Sequence, residues 1–426
     1  MDFSDVSRLL SNEPSYERSK PMKRNSSPKI ALAVSMFVLL VLIGLAWAQN
    51  QPVEDYSRQL PYASDRILVK FKPLTHESMK AFIHQWHGGR VIDVLPGLDV
   101  HVVRIPENRI GQKLRAYLRE PWIEYAEPDF VAHAFFEPND PDFESQWGPV
   151  QIEAPEAWDI TQGSPEVRIA ICDTGIDQNH EDLIGKIVAN KNFTSSRSVD
   201  DKFGHGTHVA GIAAAVTHNG LGVAGIAFNS SLMNVKVLGD DGSGYYSWVV
   251  KGIIWAADHR AKVINLSLGG PAGSGTLQNA INYAWNKGCV VVAAAGNDGS
   301  GSPSYPAFYD NCIAVAATDS NDGKAGFSNH GFWVDVAAPG VDIYSTLPNH
   351  KNQLGPRNYG TLSGTSMAAP HVAGVAALVW TTEYGTNNNA VRERIETTGD
   401  ELEGPLGNDG IGRVNASLAV GGTSLP

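Results

Sequence analysis

Five runs in this chain are apolar almost without a break: Val167 to Cys172, Leu232 to Leu238, Val263 to Leu268, Val290 to Ala295 and Ile313 to Ala317. A strand with one wet face alternates apolar and polar residues, so a strand that does not alternate has both faces covered. The stretches between the runs carry helical patterning, for example Tyr246 to Arg260 and Gly275 to Lys287. Together they predict an α/β unit of three layers, a central, mostly parallel sheet between helices. In open sheets of this kind, functional residues gather at the carboxyl ends of the strands.

The chain is too long for that one unit. Its 426 residues predict two or more folded bodies. Ile30 to Ala48 is an apolar run that follows Lys23, Arg24 and Lys29 and ends Ala46-Trp47-Ala48. A basic stretch, an apolar stretch and a small-x-small end read as a leader and signal peptide over 1–48, with an uncleaved membrane anchor as the alternative. Residues 49–62 read as a linker. Over 63–134 a compact α+β segment is expected. Arg66 to Phe71 reads as a strand, and Thr75 caps a helix running to about His87. Val91 to Leu95 and Val100 to Ile105 are strands around Pro96-Gly97, a helix follows Pro106-Glu107, and Trp122 to Glu127 closes the set. The order βαββαβ is the ferredoxin-like pattern. His84, His87 and His101 in this segment are expected at its surface.

Net charge is −12, and it is uneven. Residues 1–29 sum to about +2 and residues 51–135 to about 0, so the segment from 136 onward holds nearly all the excess acid. That field repels phosphate and argues against nucleic acid as a partner. Three cysteines are too few, and the chain too large, for a disulfide-stapled fold. Cys289 and Cys312 could pair or stay as buried thiols, and Cys172 reads as core packing.

Three loops carry the chemistry. Ile171-Cys172-Asp173-Thr174-Gly175-Ile176-Asp177 closes an apolar strand on an Asp. Gly204-His205-Gly206-Thr207-His208-Val209-Ala210-Gly211 sets a His between glycines at a helix start. Leu362-Ser363-Gly364-Thr365-Ser366-Met367-Ala368-Ala369-Pro370-His371-Val372-Ala373-Gly374 opens an Ala-rich helix on a Ser. Singly, an Asp in a turn and a Ser at a helix start are ordinary caps. His205 and His208 lie three apart, but no Glu stands between them and no third His follows, which disfavours zinc. A nucleophilic Ser needs a base within reach, and the base needs an acid to orient it.

In the order Asp, His, Ser, the motifs D-T-G-I-D, H-G-T-H-V-A-G and G-T-S-M-A-A-P-H-V-A-G closely resemble the subtilisin family, nearest its thermitase-like branch. The resemblance runs from about Asn139 to Val420, behind a segment that resembles the family's inhibitory prodomain. It implies a subtilisin-like catalytic domain over 136–426, with Asp173 as orienting carboxylate, His205 as base and acid, and Ser366 as nucleophile. It makes His208 and His371 structural. It points to Asn297, in Ala294-Ala295-Gly296-Asn297, as an oxyanion donor with the Ser366 N–H. Substrate-binding edges are implied at Gly242, Ser243 and Gly244 and at Ser267, Leu268 and Gly269, with Ala294, Ala295 and Gly296 along one side of the primary pocket. Glycine-rich edges let a peptide add as a strand, so broad specificity with a preference for large uncharged residues is expected. Asp140, Asp182, Val216, Asn219, Leu221 and Val223 match the family's tight calcium site, a set of oxygens suited to Ca2+. The acidic loop Ser198-Val199-Asp200-Asp201 departs from the thermitase pattern.

The expected protein is thus a secreted, monomeric serine endopeptidase acting on proteins and peptides. Its own prodomain, removed by self-cleavage near Ala134 to Phe136, serves as folding chaperone and inhibitor. The rivals are a catalytically silent binding protein of the same fold, disfavoured by the full set of motif residues, and a narrow processing protease, disfavoured by the open glycine edges.

Overall fold

A computed structural model describes residues 62–132 and 136–422. The segments read as leader, signal and linker, and most of the expected prodomain cut, lie outside them. The chain divides into two compact units, a small one over residues 64–127 and a large one from residue 128 on.

The small unit has the order β1 (Tyr62–Phe71), α1 (Glu77–Trp86), β2 (Arg90–Leu95), β3 (Val100–Arg104), α2 (Ile110–Leu118), β4 (Ile123–Phe130). Its antiparallel sheet has the spatial order β2-β3-β1-β4, so each helix crosses between strands that are not neighbours. Two expectations are corrected. Thr75 is not the cap of α1: His76 is, its ring accepting from the Ser78 N–H, while the Thr75 hydroxyl turns back to the Lys72 carbonyl. His84 and His101 are not at the surface. They are 4% and 6% exposed and stack face to face over Phe71. His84 Nε2 lies 2.9 Å from His101 Nδ1, and His84 Nδ1 lies 3.1 Å from the Tyr117 hydroxyl. Phe71 and Tyr117 make this corner the middle of a core, and histidine fills it as a polar aromatic with partners.

The large unit is built on seven parallel strands in the order β11-β10-β9-β8-β5-β7-β6. These are β5 (Arg168–Asp173), β6 (Ile187–Asn192), β7 (Ser231–Lys236), β8 (Ala261–Leu266), β9 (Val290–Ala294), β10 (Ile313–Thr318) and β11 (Val336–Pro339). The five apolar runs are its five inner strands. Alternate residues serve two separate cores. Ile169, Ile171, Val292 and Val315 join one; Ala170, Cys172, Val291 and Ala314 join the other. Helices α3 (His205–Ala214) and α6 (Thr365–Val379) cover the first face, and α4 (Tyr246–Asp258) and α5 (Gly275–Asn286) the second. Helix α7 (Asn388–Thr397), the antiparallel pair β12 (Ile343–Leu347) and β13 (Asn358–Leu362), and several helices of five residues or fewer belong to the same unit. The edge strand β6 carries only half-buried and exposed residues, so it lacks the apolar run that marks the inner strands. Cys172, Cys289 and Cys312 are free and buried, which settles the open question of a Cys289–Cys312 bond. Among the described residues no helix is long and apolar enough to cross a membrane.

The His84–His101 pair makes the small unit acid-sensitive. Burial, then the neighbouring His101, lowers the pKa of His84 from 6.5 to about 4. An unfolded chain therefore takes up protons near pH 6.5 that the folded unit refuses, so stability is intact above 6.5 and is lost as pH falls toward 4. Hydrogen-exchange protection of residues 62–132 in a Ser366→Ala chain should fall by about 2–3 kcal/mol between pH 7 and pH 4. Unchanged protection factors would contradict the buried pair.

Candidate active site

Strand β5 delivers Asp173 to the carboxyl edge of the sheet with its side chain fully buried. Helix α3 starts beside it. Gly204 caps that start at φ 115°, a value glycine reaches without strain, and its carbonyl accepts from the His208 N–H. His205 is the first helical residue, and its Nδ1 donates to Asp173 Oδ1 at 2.7 Å. The approach is possible because Gly206 has no side chain: a Cβ there would sit 2.2 Å from the Gly175 carbonyl oxygen and 3.1 Å from Asp173 Cβ. The Thr174 N–H also donates to Asp173 Oδ1, at 2.7 Å, while Asp173 Oδ2 is buried without a hydrogen-bond partner among the described residues. Burial opposes charge on His205, but the Asp173 carboxylate, by its field and its bond, and then Asp201, outweigh it. The pKa of His205 is raised above the ordinary histidine value. His208 faces elsewhere. It is fully buried, donates from Nε2 to the Gly360 carbonyl at 3.1 Å, and burial pushes its pKa down to about 3. The two histidines therefore share no ligand.

Ser366 stands in the first turn of α6, the most apolar helix of the unit. Pro370 lies four residues on. Proline has no N–H to give the carbonyl four residues back, and the Ser366 carbonyl takes the Ser267 hydroxyl instead, at 2.7 Å. The Ser366 hydroxyl in turn donates to the Ser267 carbonyl at 3.2 Å. This exchange pins the start of α6 to the loop after β8. It was not anticipated from the sequence, although Pro370 inside a helical stretch is the signal for it. Asn297 Oδ1 accepts from both the Thr365 N–H and the Thr365 hydroxyl, each at 2.9 Å, and this fixes which way the amide points. A Cβ built on Gly364 would lie 3.5 Å from Asn297 Nδ2 and 3.6 Å from the Ser366 nitrogen, so both donors lie close to one point beside Gly364. His371, fully inside, donates from Nδ1 to the Met367 carbonyl at 2.8 Å and is held neutral by burial, its pKa pushed down to about 4.

The glycine edges differ among themselves. Gly244 could not carry a side chain, since a Cβ would meet the Val237 carbonyl oxygen at 2.5 Å, and at Gly242 it would meet the Phe203 ring at 2.7 Å. The Ser243 carbonyl accepts from the Gly239 N–H, which closes the turn on itself. The backbones of Gly244, Leu268 and Gly269 make no bond among the described residues, while the next residue, Gly270, pairs with Tyr305. Ala295 does not present its side chain: it is fully buried in the second core, and Ala294 is 4% exposed. Along that side, any wall offered by Ala294 and Ala295 is backbone.

Asp140, Asp182 and the loop 216–223 come together. Asp140 accepts from the His218 and Asn219 N–H groups at 2.7 and 3.3 Å. Asp182, fully buried, accepts from Asn219 Nδ2 and the Val223 N–H at 2.9 Å and from the Tyr359 hydroxyl at 3.0 Å. Burial raises its pKa. The carbonyls of Val216, Leu221 and Val223 accept no bond among the described residues. Buried carboxylate oxygens with unbonded carbonyls close by fit a hard cation. Asn219 turns its amide nitrogen toward Asp182 and gives its oxygen to the Leu221 N–H, so ion binding requires that amide to turn over. A second cluster, Asp177, Asp200 and His350, reads as a clasp between loops. Asp177 accepts from the Asn179 and Asn349 N–H groups, and Asp200 is engaged by Lys202 and His350.

Comparison with known proteins agrees with this architecture. The subtilase family model matches residues 164–414, and the model of the fervidolysin N-terminal prodomain matches residues 48–129. Thermitase of Thermoactinomyces vulgaris is 53% identical over 287 residues, which are 67% of this chain and 99% of that protein. A thermophilic serine proteinase of Bacillus sp. (strain AK1) is 40% identical over 94% of this chain and the whole of its own length. A solved protease structure from Pseudoalteromonas arctica superposes with a TM-score of 0.62 at 36% identity, covering 66% of this chain and 98% of its own. The fold and these matches define a serine endopeptidase carrying an N-terminal prodomain. The chain belongs to the subtilase family.

Gly206→Ala tests the geometry that seats His205. The added methyl must displace backbone, which costs about 1–3 kcal/mol or more. Urea unfolding of the large unit in a Ser366→Ala background should show a loss of that size, and a neutral substitution would mean that α3 is not held against Asp173 as described.

Proposed function

We propose that the chain is secreted and cleaves peptide bonds through an acyl-enzyme, with Ser366 as nucleophile, His205 as general base and then acid, and Asp173 as the group that orients the imidazole. The observation that carries the proposal is the pair of donors, Asn297 Nδ2 and the Ser366 N–H, close to one point beside Gly364. A carbonyl oxygen placed there gains two hydrogen bonds as it becomes an oxyanion, and fixed donors cost no reorganisation at that moment. The Ser366 hydroxyl leaves the Ser267 carbonyl and turns to His205 Nε2, which accepts its proton as Oγ attacks. The imidazolium is stabilised by Asp173 and returns the proton to the leaving amine. Water then repeats the sequence on the ester. The unpaired backbones of Gly244, Leu268 and Gly269 let the substrate lie as an added strand, and main-chain pairing is indifferent to side chains, so specificity is broad. The prodomain guides folding of the parallel sheet, whose long-range pairings form slowly, and then inhibits until it is cut away. The catalytic domain acts outside the cell as a monomer.

Ser366→Ala should leave a full-length precursor, while Asn297→Ala should keep Ser366 reactive and slow turnover by about 10²–10³, the range established for loss of this donor in subtilisin itself. Purified Ser366→Ala protein that still matures by itself would remove Ser366 from the role.

We further propose that Ca2+ is held by Asp140, Asp182, the Asn219 side chain and the carbonyls of Val216, Leu221 and Val223. Distant in sequence, these residues clamp the start of the large unit to its body. A ligand of the native form alone adds about 4 kcal/mol at a thousandfold excess over Kd. Chelation should shorten the active lifetime sharply and barely change the initial rate on a small ester, and Asp182→Ala should make added calcium ineffective. Equal lifetimes in chelator and in millimolar calcium at elevated temperature would show that these residues only form turns.

A further inference from the structure

Beneath His205 lies a second carboxylate. Asp201 is fully buried, four residues before His205, and both its oxygens are engaged. Oδ1 accepts from the Gly204 N–H at 2.7 Å, the Phe203 N–H at 3.1 Å and the Thr174 hydroxyl at 2.9 Å. Oδ2 accepts from the Thr207 N–H at 2.9 Å and the Thr207 hydroxyl at 2.7 Å. The Thr174 oxygen that donates to Asp201 also accepts from the Gly206 N–H at 2.9 Å. These bonds link the residue after Asp173 to the residues on both sides of His205. A helix cap needs one acceptor for one or two N–H groups. Asp201 does more, because it joins the two segments whose spacing sets the 2.7 Å bond between Asp173 and His205.

We infer that Asp201 is a positioning residue for His205, a buried carboxylate that locks the start of α3 to the Asp173–Thr174 corner and adds its own negative charge to that of Asp173 around the imidazole. The other groups near this corner do not cancel it. Lys236 of β7 is fully buried, but its ammonium is given to the Thr174 carbonyl and to Asp240. His208 on α3 and His371 on α6 are kept neutral by burial. Asp200 is paired with Lys202 and with His350 of the loop after β12. That leaves Asp173 and Asp201 as the carboxylates whose charge favours the protonated ring, against the cost of burial. Burial also raises the pKa of Asp201 itself, and the bonds it accepts from Gly204, Thr207 and Thr174 oppose that by favouring its ionised form. The ring must be neutral to take the Ser366 proton, so Asp201 holds the acid limb of activity at a higher pH than Asp173 alone would.

The inference rests on the proposed role of His205 as base. The test is kcat/KM against pH on an uncharged peptide substrate at constant calcium, for the matured enzyme and its Asp201→Asn variant. Loss of one buried charge beside the start of α3 should move the acid limb down by about 0.5–1.5 pH units. The alkaline plateau should fall less than tenfold, since asparagine keeps the acceptor at Oδ1. Asp258→Asn, at the exposed end of α4, should leave the limb in place and serves as the charge control. An unmoved limb in Asp201→Asn overturns the inference while the role of His205 stands; a wild-type profile with no acid limb instead removes the role of His205 as base. If Asp201→Asn does not accumulate, Thr174→Val keeps the charge and cuts the bridge to Gly206. It should lower the plateau about tenfold and leave the limb where it was, with Thr174→Ser restoring the plateau. A Thr174→Val enzyme with a wild-type plateau overturns the positioning role.

Discussion

The 2.7 Å bond between Asp173 and His205 is the contact on which the rest of the large unit depends. It asks for a carboxylate taken wholly out of water, with one oxygen left without a partner among the described residues. A charge so placed is costly unless its surroundings are fixed. The fold fixes them. Asp173 ends a strand with neighbours on both sides, β7 and β8, and α3 is held against that strand by Gly206, where any side chain would strike backbone. The raised affinity of His205 for a proton follows from this placement, and in the proposed mechanism this is the group that takes the serine proton.

Ser366, the proposed third member of the triad, arrives by a different route. Ser366 is not set by a strand end but by a helix start that cannot complete its own hydrogen bonds. Pro370 leaves the Ser366 carbonyl without its helical donor, and Ser267 supplies one from the loop after β8. Asn297 is oriented by the same turn, through Thr365. Two loops after parallel strands and one helix terminus are therefore tied by side-chain bonds at the carboxyl edge of the sheet, where an open α/β architecture collects function. The Ser366 hydroxyl rests on the Ser267 carbonyl, and in the proposed mechanism it leaves that carbonyl for the imidazole.

Much of this was legible in the residues. Apolar runs such as Val290 to Ala294 could only be doubly covered strands, and they are. Strand β6 was not legible, because at an edge its side chains are half wet and read as loop. The buried histidines of the small unit were misread for the opposite reason. Polarity suggested surface, but His84 and His101 satisfy each other and Tyr117, and a satisfied polar aromatic packs like an apolar one. The motif residues at the site were legible as residue types. Their wiring was not: that Asp201 bridges to Thr174, that Ala295 turns its side chain inward, or that Asn219 faces Asp182 with its nitrogen depends on contacts between segments far apart in the chain.

In the proposed mechanism one serine, Ser366, is made reactive by this arrangement. Treating the matured protein with a serine-directed phosphonate and mapping the adduct by mass spectrometry tests it most directly. A single adduct on Ser366 is expected, formed at a rate that falls as His205 becomes protonated. An adduct on another residue, or an active enzyme that takes up no phosphonate, would contradict it.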